Sequence, residues 1–188
     1  SQGWTYDGNA HANPLVTVTE GTLLPGDTLV ATATGSVTDV SDTHSGNNPI
    51  AAGYQIMHGA VDVTANYAIT TVAGTLTVNP KAVTVTAQDK AFIYTGTAQS
   101  WDKYDVDGLV GTDALTAVVE GSITFPSESP VANEVKSHTF TTGTPGNYTV
   151  SYVNGELTMT NAQAAITITA ASQGWTYDGN AHANPLVT

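Results

Sequence analysis

The chain has 188 residues with no Cys, four Lys, no Arg and 16 acidic residues, giving a formal net charge of -12. That balance leaves too few cations to displace phosphate counterions, which excludes nucleic-acid binding, and the missing thiols exclude disulfides, thiolate metal sites and cysteine nucleophiles. Hydrophobic residues reach 40%, enough for a packed core, while no apolar run approaches the ~20 residues of a helical membrane span.

A Thr- and Val-rich chain favours strands, because β-branched side chains lose rotamer freedom in a helix and suit a pleated surface. The chain opens at Ser1 with neither an initiator Met nor a signal peptide, so it is expected to be a piece of something longer. Along the chain, Tyr6-Asp7-Gly8 predicts a turn after an aromatic-led strand, and Leu15-Val16-Thr17-Val18-Thr19 alternates with the period of a strand. Pro25-Gly26-Asp27 allows one short helical turn at most. Residues 66–78 read as two strands joined by a tight turn. Val83-Thr84-Val85-Thr86 alternates again, burying the aliphatic face and leaving Thr outside, as antiparallel sheets with one wet face do. Val153-Asn154-Gly155-Glu156-Leu157 predicts a hairpin, and Ile166-Thr167-Ile168-Thr169 a further strand. The expected class is all-β.

Internal repetition is the strongest feature. Residues 1–17, SQGWTYDGNAHANPLVT, recur without a difference at 172–188, an offset of 171. Such identity predicts a head-to-tail array of near-identical units. Within the unit lies an older repeat: VTVTAQDKAFIYTG (83–96) aligns with ITITAASQGWTYDG (166–179), NYAITTVAGTLTVNP (66–80) with NYTVSYVNGELTMTN (147–161), and GSVT (35–38) with GSIT (121–124). The organisation is therefore module 1 at 1–80, module 2 at 81–163, and the start of a third repeat at 164–188. The seams at 79–81 and 161–163 are short, which predicts a semi-rigid rod. By the 171-residue offset, AAITITAA (164–171) corresponds to the positions just before Ser1. Module 1 thus lacks its own first strand here, which leaves an open edge or a place for a neighbouring chain.

The order of an ITITA-type strand, an aromatic-x-Tyr-Asp-Gly turn, a GLVGTDAL stretch (108–115) and a closing NYxI…GTLTV segment resembles the tandem Ig-like/MBG-type repeats of bacterial surface proteins, including the YDG-like variants. The resemblance implies small β modules, sandwich-like or β-grasp-related, in an extracellular stalk, filament or adhesin. It implies no catalytic site, no cofactor and no particular ligand. Module 2 departs from the pattern with Tyr94-Thr95-Gly96, and with Phe125-Pro126 where module 1 has Asp39-Val40.

Candidate chemistry is sparse. Asp102-Lys103-Tyr104-Asp105-Val106-Asp107-Gly108 offers hard oxygens, yet its acids alternate as on an exposed strand face and no Glu closes the loop for calcium. His11, His44, His58, His138 and His182 show no metal-ligand spacing, and no HExxH or nucleophile elbow exists. No metal site and no enzyme activity are expected. Trp4 and Trp175 read as core anchors, whereas Trp101, with Tyr104 beside it, has no counterpart in module 1 and is the candidate contact for a host glycan or protein. All four Lys (81, 90, 103 and 136) lie in module 2, so an isopeptide cross-link would need one of them buried beside a carboxylate. Asn147-Tyr148-Thr149 matches a glycosylation sequon but reads as a structural turn. The expected partner is the chain itself, through Ala164, Ile166, Ile168, Trp175 and Tyr177 by contact between modules or strand addition, with the adhesin as the alternative.

Overall fold

The computed structural model describes residues 2–162 and 164–185. The fold is all-β. Module 1 contains β1 (Gln2–Thr5), β2 (His11–Ala12), β3 (Asp27–Val30), β4 (Ser36–Val37), β5 (Gln55–His58), β6 (Val61–Asp62) and β7 (Leu76–Asn79). Module 2 contains β8 (Lys81–Ala87), β9 (Lys90–Ile93), β10 (Tyr104–Asp107), β11 (Ala114–Glu120), β12 (Val131–Thr142), β13 (Tyr148–Val153) and β14 (Gly155–Thr160). Single 3-10 turns at Val40–Asp42, Thr64–Asn66, Pro126–Glu128 and Pro145–Asn147 replace the short helical turn expected at Pro25.

Module 2 has two sheets, ordered β10-β8-β13 and β11-β12-β14-β9. Antiparallel pairs dominate, and β8 with β13 and β14 with β9 add parallel ones. The alternation read from the sequence is realised in β8: Val83, Val85 and Ala87 are buried and the intervening Thr residues are not. Module 1 repeats the second arrangement in part, pairing β1 parallel with β7 as β9 pairs with β14. Its other sheets are β2-β4 and β3-β5-β6.

The structure departs from four expectations. Leu15–Thr19 forms no strand, and of residues 66–78 only β7 is a strand while 67–72 is irregular. The reason is the missing neighbour: in module 2 the matching strand β13 takes its ladder from β8, and no described strand stands in that place in module 1. Asn154-Gly155 does not make a hairpin either. The strands on either side of it go to different sheets, β13 to β8 and β14 to β12 and β9. Gly155 is needed there because a side chain would stand 2.5 Å from the Ala87 carbonyl oxygen. Ile166–Thr169, finally, is not in a strand, and both isoleucines are exposed.

Two apolar clusters hold the molecule. The larger unites Tyr6, Val37, Leu76 and Val78 of module 1 with Val83, Val85, Ala87, Leu115, Val135 and Tyr148 of module 2. The smaller gathers Ile123, Leu157 and Met159, flanked by Phe92, Tyr94, Trp101 and Val131. By the internal repeat, this second cluster is module 2's copy of the module 1 half of the first. The core is thus built across the seam, with module 1's end and module 2's beginning buried together.

Candidate functional site

The seam is the most constructed polar and apolar place in the molecule. Only Pro80 separates β7 from β8. Tyr6, carried out of β1 by the Tyr-Asp-Gly turn, packs edge-on against Tyr148 at 5.4 Å between ring centroids, and Tyr148 stacks on Phe140 at 5.3 Å. Asn147, at the end of a 3-10 turn, reaches into module 1: its Oδ1 accepts from the Val40 N–H at 2.9 Å, and its Nδ2 donates to Asp39 Oδ1 at 2.6 Å. Asn147 is buried, so both of its amide ends are matched within a site closed to water, where an unmade bond costs the most. The sequon it heads is occupied by structure, as expected from the turn.

Each module also ties its own loop with a Tyr–Asp pair. Tyr148 Oη donates to Asp113 Oδ2 at 2.5 Å and accepts from the Val110 N–H at 3.1 Å. Tyr67 Oη donates to Asp27 Oδ2 at 2.5 Å and accepts from the Leu24 N–H at 3.0 Å. Burial, then the bond to Asp113, pushes the Tyr148 hydroxyl well above its ordinary pKa. The Tyr67 hydroxyl, then His58, hold Asp27 below the usual carboxylate range. The hydroxyl partners of these loops were not expected from the sequence. The signal was present in the aligned NY segments and in the Gly26-Asp27 and Gly111-Thr112-Asp113 turns, but nothing in spacing alone pairs one with the other.

The histidines all find local partners. His11 sits 3.0 Å from Asp7 and stacks on Trp4, and its repeat copy His182 sits 2.9 Å from Asp178 and stacks on Trp175. His58 contacts Asp27 at 2.6 Å, and His138 contacts Tyr152 Oη at 2.6 Å. Among the described residues no three His, Asp or Glu side chains converge as metal ligands. In the acidic run, Asp102 pairs with Lys103 at 3.3 Å and Asp105 accepts from Gln88, so these carboxylates diverge along β10. No lysine is buried: Lys136 pairs with Glu134, and Lys90 lies 4.3 Å from the Trp101 ring centre.

Trp101 is half-buried against the smaller cluster, with its indole N–H 3.4 Å from Gln88 Oε1. Beside it an open depression of about 630 Å³ is lined by Asp102, Lys103, Tyr104 and the 117–119 edge of β11. Trp101 itself lines a neighbouring depression with Glu120, Glu134 and Lys136, so Trp101 and Tyr104 face two adjoining hollows that share Asp102 and Val119. The residues expected at contacts between modules, Ala164, Ile166, Ile168, Trp175 and Tyr177, lie exposed past the last strand.

No curated protein and no solved structure matches the chain significantly. Residues 83–158, nearly the whole of module 2, match the family model of the MBG domain, YGX type. The MBG-type resemblance read from the repeat motifs is thereby borne out, in a family whose domains are typically extracellular surface repeats.

Proposed function

We propose that the chain is a stretch of an extracellular structural array, a stalk or filament of a bacterial surface, in which module after module is locked to the next. The observation that carries this reading is the seam: one continuous core and the Asn147 clasp join modules that are separated in sequence by a single proline. A joint of that kind resists bending, because flexing it opens apolar area and strands a buried amide. The exact 171-residue restart supports a long array rather than a pair of modules. The charge of -12 supports side-by-side repulsion between rods. The work of such a protein is reach and load-bearing, and in this reading it has no catalytic site and needs no cofactor.

Small-angle scattering and electron microscopy on an array of several 171-residue units test the proposal. Rods with one regular axial period are expected; a coil of independently tumbling modules overturns it. An adhesin role is the second reading, favoured by the two adjoining depressions lined by Tyr104 and by Trp101. On a glycan or mucin surface, binding by the intact chain that Trp101→Ala abolishes would establish it.

A further inference from the structure

Module 2 shows what module 1 is missing. In module 2, β8 lies between β10 and β13, paired parallel with β13 in the register Lys81 to Tyr148 through Thr86 to Val153. The two chain stretches that should flank such a strand in module 1, 16–20 and 67–72, are both irregular. An apolar side chain stands open there: Ile69, the counterpart of the half-buried Val150, is 38% exposed. The glycine that faces β8 is duplicated too. A side chain on Gly108 would collide with the Ala82 carbonyl oxygen of β8, whereas one on Gly21, which follows Glu20 as Gly108 follows Asp107, would meet nothing. Gly155, which lets Ala87 pass, has its counterpart in Gly74, beside which no strand runs. Module 1 therefore carries the glycines and the apolar edge of a strand slot with no strand in it.

At the other end, Ala164–Ala171 repeats β8. Ile166 and Ile168 stand at the positions of Val83 and Val85, which are the buried face of β8, yet they are 83% and 75% exposed. The 171-residue restart places this same string immediately ahead of residue 1 of the next unit, so its sequence is the one that belongs in the slot.

We propose that module 1 is a receptor for the 164–171 strand of a second copy of this chain, which enters parallel to residues 67–72 and joins copies head to tail. Carrying the β8–β13 register across the repeat sets the pairs: Ala164 opposite Tyr67, Ile166 opposite Ile69, Thr167 opposite Thr70, and Thr169 opposite Val72. Ile166 and Ile168 turn inward, as Val83 and Val85 do, and Thr167 and Thr169 face water. The backbone N–H and C=O groups of 67–72, now without a ladder, are satisfied by the entering strand, and its two isoleucines leave water. The proposal rests on the tandem-array reading, within which the same string arriving from the preceding unit of one polypeptide would fill the slot in the same way.

Sedimentation of the whole chain over a range of concentrations, with amide exchange at 67–72, tests the proposal. Mass rising in whole-chain steps is expected, with exchange at 68–72 slowing by about tenfold or more on assembly. Ile166→Asp with Ile168→Asp should hold the chain monomeric while leaving its slot able to take a synthetic peptide of residues 164–171, which restores the slow exchange. Association that survives the double substitution, or a peptide that leaves 67–72 unprotected, overturns the proposal. Monomers protected at 67–72 by their own tail overturn it as well. Rod shape is measured on covalent arrays, so a failed array and a failed slot are told apart.

Discussion

Residues 67–72 and 148–153 descend from one pattern, Asn-Tyr followed by alternating apolar and hydroxyl side chains, yet one is irregular and the other is a six-residue strand. Their local sequence does not explain the difference, since both begin after a 3-10 turn and both anchor a tyrosine hydroxyl on an aspartate. What differs is β8. Strand propensity is largely a statement about neighbours, and here the neighbour is present once and absent once. The identical pair 2–14 and 173–185 teaches the same lesson at the level of burial. Asp7 and Asp178 make the same turn bonds to Asn9 and Asn180 and the same contact to a histidine, so the turn is encoded locally. Tyr6 is nevertheless 9% exposed and Tyr177 94% exposed, because Tyr6 packs edge-on against Tyr148 of another module and Tyr177 meets no such partner among the described residues.

The largest effect that separates the two situations is a buried charge at equivalent places. Val85→Asp puts a carboxylate at a fully buried point of the shared core and should cost at least about 4 kcal/mol, enough to abolish the cooperative unfolding transition of module 2 in urea. Ile168→Asp, the same change at the matching position of the next repeat, should leave the monomer's midpoint within about 0.5 kcal/mol of the parent. Equal losses at the two positions would mean that 164–171 is packed in solution and that the comparison between the repeats is wrong.

A smaller effect separates the two asparagines that end the aligned 3-10 turns. Asn147→Ala removes both bonds to module 1 and leaves the Val40 N–H and the Asp39 carboxylate facing a dry gap, for about 2–3 kcal/mol. Calorimetry should then resolve two transitions where the seam previously coupled the modules into one. Asn66→Ala, on the exposed counterpart, should cost under about 0.5 kcal/mol. The clasp also cannot be copied unchanged at the next seam. Pro126 stands where module 1 has Val40, and proline has no N–H to offer. Consecutive seams in an array therefore alternate in their polar contacts.

How much of this was legible follows from the range over which each signal acts. Strand β8 and its buried Val83 and Val85 were visible as alternation, and module boundaries as repeats, because both are written in adjacent residues. The missing first strand of module 1 was legible from the offset alone. The Asn154-Gly155 hairpin was misread because the dipeptide reports a sharp local turn but not which sheet each flanking strand joins; that choice is made by the carbonyl of Ala87 and by β12, far away in the chain. Leu15–Thr19 and 67–72 were misread for the converse reason, since their alternation is correct for a sheet whose central strand is not there. The Tyr–Asp ties and the Asn147 clasp join residues 35 to 108 positions apart, and no periodicity encodes such a pairing.

Acid titration yields the gentlest contrast, and it has a definite sign. Four module 1 carboxyls sit below their ordinary range: Asp7, held to about 2 by the Asn9 N–H and then by His11; Asp27, by the Tyr67 hydroxyl; Asp42, by the Thr38 and Asp39 N–H groups; and Asp62, by the Thr64 hydroxyl and N–H. In module 2 Glu128 is held down in this way, by the Phe125 and Thr124 N–H groups. A carboxyl with a lowered folded pKa binds its proton more readily in the unfolded chain. Its contribution is complete above the unfolded value near 4 and drains away as pH falls toward the folded one. These groups are open to solvent, so each contribution is modest, but the four in module 1 act together and make it the acid-sensitive half. Between pH 4 and 2 in the Asn147→Ala chain, whose modules are no longer coupled, tryptophan fluorescence and amide exchange should report module 1 loosening first, with the β8–β13 ladder still protected. Module 2 opening first, or both opening together at one pH, would show that these hydrogen-bonded carboxylates do not set the order.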